Sequence, residues 1–349
     1  MTDTLDIIAP DDWHVHLRDG SMLKAVLPAT VRVFARALVM PNLSPPVTTV
    51  AAARAYRERI VLALPRGAFF MPLMTCYLTD NTIPDEVTFG YRQGVFLAAK
   101  LYPAHATTNS AHGVTDIAQI DDVLARMEEI GMTLCVHGEI TDPAIDVFDR
   151  EAVFIERVLA PLRRRHPGLK IVFEHITTKE AVDFVLSGEP GIAATITPHH
   201  LMISRNAMFE GGLRPHHYCL PVAKREAHRL ALRQAAVSGN PRFFLGTDSA
   251  PHAKHAKESA CGCAGIYNAL AAIEAYAQVF DEEGALDKLE GFASKFGPAF
   301  YGLQPNTTRL KLTRASWTVP ERVDGGEERN GSELTPFLAG RALAWQVAV

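Results

Sequence analysis

A chain of 349 residues with 48% apolar and 21% charged residues is long enough to bury a large core, as one big α/β domain or two ordinary ones. Its formal charge of −4, with no Lys/Arg-rich run, argues against a nucleic-acid surface or a polybasic membrane anchor, and no apolar run reaches the roughly 18 residues that span a bilayer. The five cysteines, Cys76, Cys135, Cys219, Cys261 and Cys263, are odd in number and scattered, which fits reduced thiols in the cytoplasm better than a disulfide framework. The opening MTDTLDIIAPDDW lacks the charged start and long apolar stretch of a signal peptide, so none is expected.

In chain order, short apolar runs alternate with longer segments of helical period. The runs are DWHVH (12–16), RALVMP (36–41), FFMPLMT (69–75), VFLAAKLY (95–102), TLCVHGE (133–139), IVFEHIT (171–177), IAATITP (192–198) and RFFLGTD (242–248). Between them, residues 48–64, 116–131, 151–166 and 224–239 place apolar side chains at i, i+3 and i+4 and are predicted helices. Strand–helix alternation implies parallel strands, and eight repeats imply a closed (β/α)8 TIM barrel. A doubly wound open sheet is the runner-up, but no GxGxxG turn follows the first strand. Farther on, 264–280 and 289–303 read as helical, whereas 305–340 is broken by Pro and Gly and its charged stretch 321–333 reads as a surface loop. The expectation is a single barrel domain over 1–349 with an irregular extension from about 305.

A parallel barrel carries its site at the C-terminal ends of its strands. His14 and His16 end the first run, Lys100 the fourth, His137 the fifth, His175 the sixth and Asp248 the eighth. In a strand, side chains repeat every two residues, so His14 and His16 face the same way, as a pair of metal ligands would. Four histidines, a lysine and an aspartate at one rim are not the scatter that core histidines produce. Lys100 is informative, because an ammonium has no lone pair and repels a dication. Its amine could instead carry carbon dioxide as a carbamate (N6-carboxylysine) and bridge two metals; a Schiff-base lysine is the competitor. Cys261-Gly-Cys263 has no spaced Cys/His partner and reads as a loop with incidental thiols.

The segments WHVHLRDG, MPNLSPP (40–46), AAKLYPAHATTNS (98–110), VHGE (136–139), FEHITT (173–178), ITPHHL (196–201), GTDSAPH (246–252) and TPFLAG (335–340) resemble, in order, those of the shorter bacterial dihydroorotases of the amidohydrolase superfamily. The resemblance implies zinc-dependent interconversion of N-carbamoyl-L-aspartate and L-dihydroorotate in pyrimidine synthesis. It implies two zinc ions per subunit, one on His14, His16 and Asp248 and the other on His137 and His175, bridged by carboxylated Lys100 and a hydroxide. It also implies a small-molecule substrate and a homodimer. Asp248 is then the expected proton shuttle.

The substrate carboxylate needs a cationic partner. Arg18, two residues past His16 and on its face if the strand continues, can supply a guanidinium fork; an ion pair with Asp19 is the alternative. By resemblance Asn42, His252, Leu220 and Ala264 also meet the substrate, and Thr107 and Thr108 reach it when the polar segment 104–113 closes as a lid. His199 and His200 are expected to buttress the site or pack loops. A hydantoinase-type cyclic-amide hydrolase, which need not bind a ring carboxylate, and a non-catalytic scaffold are the competing functions.

Overall fold

The computed structural model describes residues 3–188, 190–326 and 333–348. Its strands are β1 (Thr4–Ile8), β2 (Asp11–Val15), β3 (Arg36–Val39), β4 (Met71–Tyr77), β5 (Phe96–Leu101), β6 (Thr133–Val136), β7 (Ile171–Phe173), β8 (Ile192–Ile196), β9 (Phe243–Leu245), β10 (Arg309–Thr318), β11 (Val323–Asp324), β12 (Glu333–Leu334) and β13 (Ala342–Val347). Strands β2 to β9 form one eight-stranded parallel sheet in sequence order, each of the eight predicted runs supplying one strand. Helices lie between successive strands, as in a (β/α)8 barrel. Several are absent from the sequence reading, among them Gly20–Val31, which carries Pro28 inside it, and Lys179–Ser187.

The barrel interior is a packed layer. Trp13, Leu38, Ala98, Cys135, Val172, Ala193 and Phe244, one each from β2, β3, β5, β6, β7, β8 and β9, form one buried cluster. The bottom is plugged by the helix Phe296–Tyr301, whose Tyr301 stacks on Trp13 with ring centroids 4.4 Å apart. A side chain at Gly297 would collide with the Trp13 indole, 1.9 Å from its Nε1, so this close approach requires glycine. The outer faces of the strands pack against the helices in a second, larger core.

No ladder joins β2 to β9. The barrel closes just above them, where Asp248 N donates to His14 O at 2.8 Å and His16 N to Ser249 O at 3.0 Å. The extension from about 305 is not irregular, contrary to the sequence reading. It supplies β10 and β13, which join β1 in an antiparallel sheet outside the barrel. Alternation there is obscured because β10 is exposed or half-buried along most of its length. Strands β11 and β12 pair across part of the expected loop 321–333; its residues 327–332 lie outside the described residues.

Candidate metal and substrate site

Strand period two carries the interior layer upward into the site. Lys100, His137 and Glu174 stand two residues above Ala98, Cys135 and Val172, so they share the inward face. On β2 the register slips: Asp12 pairs with Ala37 but Val15 with Val39, so one extra residue is accommodated between them. A bulge of this kind lets both Trp13 and His14 face inward. Gly246 makes room opposite, since a Cβ there would lie 2.7 Å from Thr195 Cβ.

His14, His16 and Asp248 come into direct contact. His14 Nε2 and His16 Nε2 are 3.2 Å apart, and Asp248 Oδ1 lies 3.3 and 3.2 Å from them. Asn42 Nδ2 donates to Thr108 O, so Asn42 Oδ1 is the acceptor of the 2.8 Å hydrogen bond from His16 Nδ1. His16 Nε2 is therefore a lone pair, and it faces a carboxylate oxygen and a second imidazole nitrogen. Such a set repels itself unless a proton or a metal cation sits among the three atoms, so these residues fit a divalent metal. The electrostatics agree: burial alone would lower the His14 imidazole, but the carboxylates of Glu174 and Asp248 override it and hold the group at about 9. His16, buried and near Arg18, is pushed down to about 4. Burial would raise Asp248, yet the neighbouring imidazoles hold it well below the usual carboxylate range.

The other predicted ligands gather less tightly. The rings of His137 and His175 have centroids 4.9 Å apart, and His175 lies equally far from His14. His137 Nε2 is engaged by Glu139 Oε2 at 2.8 Å, leaving Nδ1 for a ligand, and His175 Nδ1 has no hydrogen-bond partner. Buried Lys100 meets Glu174 through Nζ, and the other oxygen of Glu174 lies 3.0 Å from His14 Nδ1. Burial would raise Glu174, but His14 and Lys100 bring it down to about 2. Glu174, Glu139 and Tyr102 are site residues the sequence reading missed. Glu139 and Glu174 fall inside the segments VHGE and FEHITT; the in-phase position above Val172 is the signal for Glu174.

Three site residues adopt left-handed backbone: Arg18 (φ 59°), His175 (φ 42°) and Asp248 (φ 46°), conformations that non-glycine residues hold only when their surroundings impose them. Strand β2 has ended before Arg18, so the expected continuation of the strand does not carry it. The positive-φ turn does, and Arg18 lines the cavity. Asp19 is not its partner: Asp19 pairs with Arg59 and caps the helix Gly20–Val31. Arg18 Nε donates to Pro251 O at 3.1 Å and Nη2 to His252 Nε2 at 3.0 Å. Burial, and then Arg18, drive His252 down to about 2, so it is a neutral acceptor.

Together His14, His16, Arg18, Asn42, Tyr102, Thr107, Thr108, His137, His175, Leu220, Asp248 and Ala264 line one small cavity. His252 stands behind Arg18, and Lys100 beneath. Segment 104–113 lies over the cavity: Thr108 Oγ1 donates to Ala264 O at 3.2 Å, and Asn109 Nδ2 to Asn42 O at 3.0 Å. His199 and His200 stand outside it. His200 has both ring nitrogens engaged, by Thr197 Oγ1 and Pro221 O, so its proximity to Cys219 does not make a cation site. His199 Nδ1 accepts from Asn268 Nδ2 at 3.0 Å. Among the described residues no helix is long and apolar enough to cross a membrane.

The amidohydrolase family model matches residues 7–312. The dihydroorotase of Synechococcus sp. strain CC9605 is 64% identical over 348 residues, covering 100% of this chain and 98% of that one. The crystal structure of dihydroorotase from Saccharomyces cerevisiae, in complex with 5-fluoroorotic acid, aligns with a TM-score of 0.90 at 33% identity over 99% of both chains. That of Campylobacter jejuni dihydroorotase aligns with a TM-score of 0.90 at 33% identity, over 100% of this chain and 98% of that one. The competing hydantoinase and scaffold readings yield to these full-length matches: the chain belongs to the amidohydrolase family and, within it, to the dihydroorotases, which are cyclic amidohydrolases.

Proposed function

We propose that this chain closes N-carbamoyl-L-aspartate to L-dihydroorotate and reopens it, with two zinc ions held by His14, His16 and Asp248 on one side and His137 and His175 on the other. When bound, zinc lowers the pKa of water to about 7 and polarises a carbonyl, so amide-ring chemistry runs at neutral pH. Lys100 is assigned as the carbamate that would help hold the metals: it is fully buried in the site, close enough to His175 to act on its charge, where an ammonium would oppose any dication. Asp248, held ionised at the cavity wall, takes a proton during ring opening and returns it to the departing amide nitrogen. Thr107 and Thr108 cover the substrate from the overlying segment, with Leu220 and Ala264 lining the same cavity. Five unpaired cysteines and the family resemblance support a cytoplasmic enzyme, and the resemblance alone supports a homodimer.

The observation that carries the substrate assignment is Arg18. Its guanidinium lines the cavity with no carboxylate partner among its hydrogen bonds, which go to Pro251 O and His252 Nε2. A half-buried cation so placed is suited to a ring carboxylate, and the yeast relative is solved with a ring acid of that kind. The test is Arg18→Met. Bound metal is expected to stay at the wild-type level while activity on dihydroorotate falls steeply, by roughly 2–5 kcal/mol of lost charge-assisted binding. Dihydrouracil, which lacks the carboxylate, is expected to be a poor substrate for the wild type and no worse for the variant. Equal losses on both rings would make Arg18 structural, and brisk wild-type turnover of dihydrouracil would favour a hydantoinase activity.

A further inference from the structure

The one place where the barrel has no strand ladder is also the place where two ligand-bearing segments meet. His14 and His16 rise from β2, and Asp248 follows β9, with no β2–β9 ladder between them. Across that seam lies Asp12, a carboxylate with no exposed surface that the chemistry above does not use. Its Oδ1 accepts from Thr247 N at 2.8 Å and from His14 N at 3.2 Å, and its Oδ2 accepts from Thr247 Oγ1 at 2.6 Å. The same Thr247 Oγ1 accepts from Ser249 N at 3.1 Å, and Asn268 Nδ2 ties down Thr247 O at 2.7 Å. The residue so enclosed is Asp248, whose backbone stands at φ 46°. A left-handed aspartate has an ordinary extended or helical alternative, and relaxing to it would swing the carboxylate away from His14 and His16.

We propose that Asp12 is a positioning residue: through Thr247 it fastens the last strand's turn to the first strand and so holds Asp248 in the left-handed conformation that aims its carboxylate at His14 and His16. It touches neither substrate nor metal. Its effect passes through two backbone N–H groups and one hydroxyl, and what it must supply is acceptor oxygens in a fixed place. The inference rests on the roles proposed for His14, His16 and Asp248, but part of its test does not depend on them.

Three variants separate fastening from bulk stability. Asp12→Ala removes all three acceptor contacts; kcat is expected to fall about 10²-fold, the scale of a misplaced reacting group, with KM within about threefold and less metal bound per chain. Amide exchange in the metal-free protein, read by mass spectrometry, is expected to speed up at least about tenfold at Asp248 and Ser249 and to stay unchanged over β5 to β7. Asp12→Asn keeps Oδ1 for both N–H groups and turns its NH2 to Thr247 Oγ1, whose hydroxyl can donate instead to His14 O, 3.2 Å away. This variant is expected to keep kcat within about fivefold. Should Asp12→Ala not fold, Thr247→Val tests the same clamp by deleting the shared hydroxyl, with faster exchange at Ser249 and about a tenfold loss of kcat expected. Wild-type exchange at Asp248 and Ser249 in a folded Asp12→Ala or Thr247→Val protein overturns the proposal, and so does an Asp12→Asn protein as impaired as Asp12→Ala. Faster exchange without activity on dihydroorotate in any form, wild type included, would leave the clamp standing and sink the substrate assignment instead.

Discussion

The two sides of the site are held by different forces. On β5 to β7, unbroken parallel ladders fix the height of each strand, and Lys100, His137 and Glu174 take their places by period two above an already packed interior layer. At the seam there is no ladder, only the two main-chain hydrogen bonds from Asp248 N to His14 O and from His16 N to Ser249 O, and the placement of His14, His16 and Asp248 leans also on side chains and on three hydrogen bonds to one carboxylate. Where main-chain pairing sets position, removing a side chain deletes a function and leaves the frame. Where side chains set position, removing one moves its neighbours as well.

The ladder side is sharpened most by Lys100→Ala. Because β5 is paired on both edges, the variant is expected to fold, with a melting temperature lowered by the loss of the buried partner of Glu174, and to turn over at background level, having lost the proposed bridging anion. Acetate, propionate or bicarbonate added to the assay is expected to restore part of the activity by supplying a carboxylate in the vacated volume. A variant that keeps its full metal content and near-normal turnover would refute the carbamate and return Lys100 to the ion pair it makes with Glu174.

On the seam side, Asp248→Asn keeps the shape and removes the proposed proton acceptor. Loss of general acid–base help is typically worth about 10²–10⁴-fold, and the loss is expected in kcat with KM little changed, since the group acts in the chemical step. A loss carried by KM would assign Asp248 to substrate binding. A fall in bound metal alongside kcat would show that the amide also fails as a ligand, and a metal titration at fixed enzyme separates the two.

The same contrast governs what the sequence revealed. Strand–helix alternation made the eight barrel strands legible, and the ends of those strands pointed to His14, His16, Lys100, His137, His175 and Asp248, because a parallel barrel has one open rim. Legibility failed where the chain leaves regular geometry. Arg18 reaches the cavity through a positive-φ turn, not along a continued strand. Asn42 grips His16 and the overlying segment together, a role no local pattern announces. Glu174 stands in phase with the interior layer while its neighbour His175 is the predicted ligand, and only the left-handed twist at His175 brings both to one site. Strand β10 went unread because it pairs with β1 across some 300 residues of chain, and β13 because its partner is β10, and an edge sheet that is half exposed leaves little alternation in the sequence.

The smallest expected effect lies behind the seam, at His199, and it bears on stability, not catalysis. Asn268 joins His199 Nδ1 to Thr247 O, so this imidazole buttresses the outer side of the turn that carries Asp248. Burial pushes His199 from its ordinary 6.5 down to about 4, so the folded protein keeps it neutral where the unfolded chain would bind a proton. Stability from this group is therefore fully present above about pH 6.5 and is lost as the pH falls toward 4, with a slope of about 1.4 kcal/mol per pH unit for each proton taken up on unfolding. His16 and His252 are depressed in the same direction and steepen the loss in the metal-free protein. Urea unfolding of chelator-treated protein at pH 7.5, 6.5, 5.5 and 4.5 reads the slope directly. His199→Gln removes one titrating group, so its stability is expected to fall less steeply below pH 6.5, by about one proton equivalent, while starting lower at pH 7.5 because the contact with Asn268 is weakened. Parallel pH curves for variant and wild type would mean that His199 takes up no proton on unfolding, and the acid sensitivity would then belong to the other buried histidines held below their ordinary range, among them His16, His175, His200 and His252.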